Sequence, residues 1–232
     1  MTVEAPSYLG PIAYRQRGGT SPGVVFLHGY RSDMEGTKAL MLDQATREWG
    51  CSYLRFDLRG HGLSRVDQPF SALHLSDWLD DASKALQLTE GPQVLVGSSM
   101  GGWLSLLLAK RFPDRVKAII GVAAAPDFTL RLPERGKMGP DGVHFGDDSF
   151  ASHAFLEDGN LLTLLDKPLD LHCPVTLLQG KDDDVVPWPL AEEIKAQCNP
   201  GQCTVYYIQD GDHRLNRPED LQILRTCVRF AL

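Results

Sequence analysis

The stretch Gln93-Val94-Leu95-Val96-Gly97-Ser98-Ser99-Met100-Gly101-Gly102-Trp103-Leu104 decides how this chain is read. Gln93-Val94-Leu95-Val96 is a strand-length apolar run, set off by Gly91-Pro92 before it and Gly97 after it, and residues 101–112 have helical spacing up to Pro113. Between strand and helix lies Gly97-Ser98-Ser99-Met100-Gly101, which fits G-x-S-x-G. In so tight a turn a side chain two residues before or after the central serine would clash, so glycine occupies both places. Ser99 has that spacing. Ser98 has Val96 and Met100 two positions away, both bulky, and the same geometry removes it. A chance G-x-S-x-G is a glycine-rich turn and no more; here the flanking run and helix supply the context that makes Ser99 a candidate nucleophile, exposed at the C-terminal end of a sheet.

Working outward, strand-length apolar runs alternate with helix-period segments. Val24-Val25-Phe26-Leu27-His28 reads as a buried strand ending at Gly29, residues 36–49 as a helix, and Tyr53-Leu54-Arg55-Phe56 as the next strand. Leu75, Leu79, Ala82 and Leu86 recur at steps of three and four and predict an amphipathic helix over 73–88. Residues 116–123 and 175–179 read as strands, Pro189–Gln197 as a helix, 204–208 as a strand and 218–230 as a closing helix. This order is that of an α/β fold with a mostly parallel sheet and crossover helices. Neither a repeat nor a linker divides it, so residues 1–232 are expected to form a single domain. Periodicity fails only over 127–167, read as a small cap insertion at one edge of the sheet. Phe128, Leu130, Leu132, Met138, Phe145, Phe150 and Phe155 lie there. They either pack against their own domain or line an acyl pocket above Ser99.

A serine hydroxyl needs a neighbouring base. Gly211-Asp212-His213 follows the last strand, where a loop returns a histidine to the top of the sheet, so His213 is the expected general base. His28 ends an early strand, where such a residue more often braces a loop; His61 lies in a Gly-rich turn; His74, His144, His153 and His172 precede or lie within or near the cap. The acid that orients the base is expected from Asp182-Asp183-Asp184, directly after the strand at 175–179, and spacing alone leaves all three open. Negative charge on a substrate carbonyl calls for preorganised donors. By position these are the backbone N–H groups of Met100, after the nucleophile, and of Tyr30, in the His28-Gly29-Tyr30 loop.

On these motifs the chain resembles the α/β-hydrolase superfamily over nearly its whole length. More narrowly, it is similar to the branch of mitochondrial acyl-glucuronide esterases and palmitoyl-protein thioesterases. The matching stretches include Gly36-Thr37-Lys38-Ala39-Leu40, Arg55-Phe56-Asp57, Leu95-Val96-Gly97-Ser98-Ser99, Gly101-Gly102-Trp103-Leu104 and Asp212-His213-Arg214. The superfamily pattern G-x-x-D-x-x-V-P fits Gly180, Asp183, Val186 and Pro187, so the resemblance implies Asp183 as the acid, in the chain order Ser99, Asp183, His213. It also implies hydrolysis of a carboxylic ester or acyl thioester through an acyl-enzyme on Ser99, with no cofactor and no metal. The substrate would be a small-molecule ester or thioester, or an S-acylated protein. Rival readings are carbon–carbon or amide hydrolysis on the same fold, and a non-catalytic protein that binds a small ligand. Segment 127–167 does not visibly follow the branch's cap, so acyl-chain preference does not transfer.

Composition narrows the field. With 43% hydrophobic and 23% charged residues the chain is ordinary for a globular protein, and a net charge of -7 argues against a nucleic-acid footprint. The longest strongly apolar stretch, 118–126, is too short to span a bilayer. Five cysteines, odd in number and without a CxxC, read as free thiols. The first nineteen residues show no signal-peptide or transit-peptide pattern, and the expectation is a cytoplasmic protein.

Overall fold

Eight of the chain's strand-length runs join one sheet, and the computed structural model of the protein describes residues 5–145 and 149–232. In chain order the elements begin with β1 (Ser7–Leu9), β2 (Ile12–Arg17), β3 (Thr20–Leu27), α1 (Thr37–Trp49), β4 (Cys51–Phe56), α2 (Leu75–Gln87), β5 (Gln93–Ser98), α3 (Met100–Arg111) and β6 (Val116–Val122). They continue with α4 (Phe128–Arg135), β7 (Lys137–Gly139), β8 (Gly142–Phe145), β9 (Ser149–Ser152), α5 (His153–Asn160), β10 (Val175–Gly180), α6 (Pro189–Gln197), β11 (Cys203–Ile208) and α7 (Pro218–Ala231). The sheet order is β1-β2-β4-β3-β5-β6-β10-β11. Every neighbouring pair from β4 to β11 is parallel, and β1 and β2 are antiparallel at the edge.

The central strands are buried on both faces, which is why they read as continuous apolar runs rather than alternating ones. One face packs Leu75 and Trp78 of α2, Trp103 and Leu104 of α3 and Ile194 of α6 over Val25, Leu95, Ile119 and Leu177. On the other, Ala39 and Leu42 of α1 and Leu224 and Val228 of α7 cover Val24, Val94, Ile120 and Leu178. Strand alternation sends neighbouring residues such as Val24 and Val25 to opposite layers.

The hairpin β1–β2 has no counterpart in the sequence reading. Only Ile12 and Ala13 of β2 are buried, and Arg15 pairs with Glu35 at 2.7 Å, so the polar residues of this strand hide the apolar signal. Segment 127–167 is more regular than its lack of periodicity suggests: α4 and α5 flank a three-stranded antiparallel sheet, β7-β8-β9. Elements of three to eight residues are too short to show a period in the windows from which helices and strands are read. Because β6 pairs directly with β10, the chain between them leaves the main sheet and returns to the adjacent position. Asp127 ties the two ends of this excursion: its buried carboxylate accepts the N–H groups of Leu164 (2.9 Å) and Leu165 (2.8 Å), and burial raises its pKa.

Candidate active site

The turn from β5 into α3 puts Ser99 at φ 53°, ψ -117°, a backbone conformation that L residues rarely adopt. The strain is held by three backbone hydrogen bonds: the Ser99 N–H donates to Val122 (2.9 Å), and its carbonyl accepts from Gly102 (2.9 Å) and Ala125 (3.1 Å). The two elbow glycines are explained by separate close approaches. A Cβ on Gly97 would lie 2.2 Å from the Gly101 carbonyl oxygen, and one on Gly101 would lie 2.1 Å from that of Leu27. So the strand, the helix and the end of β3 are packed backbone to backbone around the serine.

Of the three consecutive aspartates, the structure separates one. Asp183 is buried, whereas Asp182 and Asp184 are exposed. One Asp183 carboxylate oxygen accepts the N–H groups of Val185 (2.9 Å) and Val186 (2.7 Å), and the other accepts the Gln179 amide (3.1 Å) and His213 Nδ1 (2.9 Å). The geometry around Asp183 Oδ2 means that His213 Nδ1 carries the hydrogen, leaving Nε2 as the basic lone pair. His213 Nε2 and Ser99 Oγ make no hydrogen bond among the described residues.

Gly29 brings the loop after β3 against the serine: a Cβ there would lie 3.3 Å from Ser99 Cβ. The N–H groups of Tyr30 and Met100 donate to no acceptor among the described residues, and Met100 opens α3, so its N–H is one of the helix's free donors. Two buried histidines, His28 and His61, brace this loop, their rings 4.8 Å apart. His28 Nε2 accepts the Leu58 N–H (3.1 Å) while its Nδ1 donates to the Gly29 carbonyl (2.7 Å). His61 Nε2 accepts the Arg31 N–H (3.1 Å). Burial lowers the pKa of His28 to about 4 and of His61 to about 3, so both are neutral at pH 7. The sequence reading of His28 as a brace matches this geometry; the matching role of His61 went unread because a histidine in a Gly-rich turn carries no pattern.

Around Tyr30 the seven apolar residues named for 127–167 divide. Phe128, Phe145 and Phe155 pack on the Tyr30 ring at centroid distances of 6.3, 5.8 and 5.9 Å, with Phe70 and Trp78 completing the cluster. Leu132 is buried, Phe150 lies against His144, and Leu130 and Met138 are exposed. The Tyr30 hydroxyl donates to the Phe150 carbonyl (2.8 Å), and Arg135 of α4 donates to the carbonyls of Asp184 (2.7 Å) and Val185. Segment 127–167 is thereby fastened both to the Tyr30 loop and to the Asp183 loop. Arg135, which makes the second link, had no signal in the sequence.

A parallel sheet in this order, with a strained serine at the β5–α3 turn and an Asp–His pair on the loops after β10 and β11, defines an α/β hydrolase. The sequence profile of the α/β hydrolase fold matches residues 22–143, and the chain belongs to this family. It is 34% identical over 227 residues to human mitochondrial palmitoyl-protein thioesterase ABHD10, covering 92% of this chain and 74% of the relative. The bovine counterpart is 33% identical over the same coverage. Among solved structures, mouse alpha/beta hydrolase domain-containing protein 10 superposes with a TM-score of 0.85 at 29% identity, covering 98% of this chain and 94% of that one.

The mitochondrial designation of these relatives overturns the expectation of a cytoplasmic protein. That expectation rested on the first nineteen residues, of which Ser7–Leu9 and Ile12–Arg17 form the edge hairpin of the sheet. Residues used to build the fold say nothing of cellular address. No helix among the described residues is long and apolar enough to cross a membrane.

Proposed function

We propose that this hydrolase cleaves an acyl ester or acyl thioester through a covalent intermediate on Ser99, with His213 as general base and Asp183 as its orienting acid. The Asp183–His213 bond of 2.9 Å is the observation that carries the reading, because it singles out one aspartate of three and leaves His213 Nε2 as the proton acceptor. Nε2 removes the Ser99 proton as Oγ attacks the acyl carbon; the imidazolium then returns it to the departing alkoxide or thiolate, and water repeats the cycle in reverse. The oxyanion is received by the Met100 and Tyr30 N–H groups, helped by the positive end of α3. Buried and accepting four hydrogen bonds, Asp183 stabilises the imidazolium without taking its proton.

Residues 127–167 act as a cap on a single 1–232 domain. Support comes from the direct β6–β10 pairing, which makes the segment an excursion, and from the aromatic contacts it makes with Tyr30. Those rings suit an apolar acyl group, free or carried on a protein cysteine, and the net charge of -7 disfavours nucleic acid as a partner. A panel of p-nitrophenyl esters and acyl-coenzyme A thioesters, with Ser99→Ala as the blank, tests the reading. Turnover of either class by the wild type and not by the blank is expected; equal rates in both, or turnover confined to amides, would refute it.

A further inference from the structure

We propose that Lys38 is a positioning residue for His213: its ammonium holds the backbone on the C-terminal side of the base. The inference rests on the triad proposed above. Lys38 is the second residue of α1, next to the positive end of the helix dipole, and no acidic residue stands in that first turn to offset it. It is also buried, 8% exposed, where lysine is rarely found without a partner. Burial lowers its pKa to about 8, with Asp212 and Asp220 acting to raise it and Arg214 to lower it further. Both the position and the burial are unfavourable for a cation, so stability of α1 alone gives no reason for a lysine here.

What the side chain does is reach 176 residues along the chain. Nζ donates to the carbonyl oxygen of Arg214, the residue after His213, and to Asn216 Oδ1 at 2.9 Å. The other flank of His213 is held differently. The Asp182 N–H donates to the Gly211 carbonyl (3.0 Å), and Gly180 lies so close to Gly211 that a Cβ would meet its carbonyl oxygen at 2.1 Å. Between these anchors the loop turns sharply, with Leu215 at φ 43° and its N–H on the Asp212 carboxylate (2.8 Å). The backbone before His213 is therefore locked to the Asp183 loop, and the backbone after it is locked to α1 through Lys38. Asp183 orients the imidazole ring, and Lys38 helps to fix the main chain from which that ring projects.

The test compares full-length wild type, Lys38→Met, Lys38→Arg and Asn216→Ala. Thermal unfolding, kcat and KM on p-nitrophenyl butyrate, and the rate of fluorophosphonate labelling are measured for each. A displaced base slows the proton transfer that both turnover and labelling need, so Lys38→Met should lower kcat and the labelling rate together, by roughly 10- to 100-fold, with KM changed about twofold or less. Lys38→Arg should recover part of the loss, because a guanidinium also donates to both acceptors. Asn216 is exposed, and its truncation removes one acceptor; kcat should fall about threefold with the unfolding temperature unchanged. A folded Lys38→Met variant with wild-type kcat and labelling, or with KM alone raised, overturns the inference. Should Lys38→Met not fold, Asn216→Ala decides: a lower kcat at unchanged stability supports it, and unchanged kcat and labelling overturn it. Failure of the folded wild type to be labelled would instead bring down the triad reading, and this inference with it.

Discussion

The β5–α3 turn and segment 127–167 sit on the same end of the sheet and are held by different forces. At the turn, Gly97 and Gly101 let backbone carbonyls approach to where no Cβ fits, and on the loop after β10 Asp183 accepts four directional hydrogen bonds. Segment 127–167 meets the same region mainly through aromatic faces around Tyr30, with the Tyr30–Phe150 and Arg135 hydrogen bonds as its ties. Directional bonds and backbone contacts specify one geometry, as proton transfer requires, whereas apolar packing tolerates changes of shape at modest cost. One region should therefore be intolerant of substitution in rate, and the other adjustable in selectivity.

The sharpest test of that contrast is at the proposed nucleophile. Ser99→Ala should abolish fluorophosphonate labelling and lower kcat by roughly 10⁴- to 10⁶-fold, while Ser98→Ala keeps most of both. Labelling lost in the Ser98 variant instead would mean that the elbow presents the other serine.

Next in size comes the acidic loop. Asp183→Asn should lower kcat by about 10³- to 10⁴-fold, and the exposed Asp182→Asn and Asp184→Asn by about tenfold or less. A neighbour that proves more damaging would show that the buried hydrogen-bond set does not define the acid.

In the proposed cap the effects should be smaller and should appear in selectivity. If the aromatic cluster receives an acyl chain, kcat/KM should rise up to about fourfold per added methylene until the pocket is full, and Phe128→Ala should move the break point. A profile flat from acetyl to octanoyl in both proteins would leave the segment as a cover and no more.

A separate test concerns stability rather than rate. His28 and His61 have folded pKa values of about 4 and about 3, below the unfolded value of 6.5, because burial disfavours the charged ring. The unfolded chain then binds more protons below pH 6.5, so their contribution is complete above that pH and declines as pH falls toward the folded values. Each should cost up to about 1.4 kcal/mol per pH unit. Urea unfolding between pH 7.5 and 5 should show this decline, and His61→Asn should flatten it; equal slopes in the two proteins would mean that His61 is not held neutral.

The sequence by itself determined the parallel α/β order, the strand–turn–helix around Ser99 and the placement of His213 after the last sheet strand. These are local signals: runs buried on both faces of a sheet, helices with one apolar stripe, and a glycine spacing imposed by one turn. Tertiary structure alone decided what depends on distant contacts. Asp182, Asp183 and Asp184 are chemically alike; the G-x-x-D-x-x-V-P resemblance implies Asp183, and the packing supplies the contact itself, with Asp183 facing His213 while accepting the amides of the next turn. Neither Lys38 reaching Arg214 nor Arg135 reaching the Asp183 loop can be read from a local pattern, because a long side chain finds its acceptor through the fold. The edge hairpin and the short elements of 127–167 escaped for a related reason: three to eight residues carry too little periodicity, and their order comes from the surfaces they pack against.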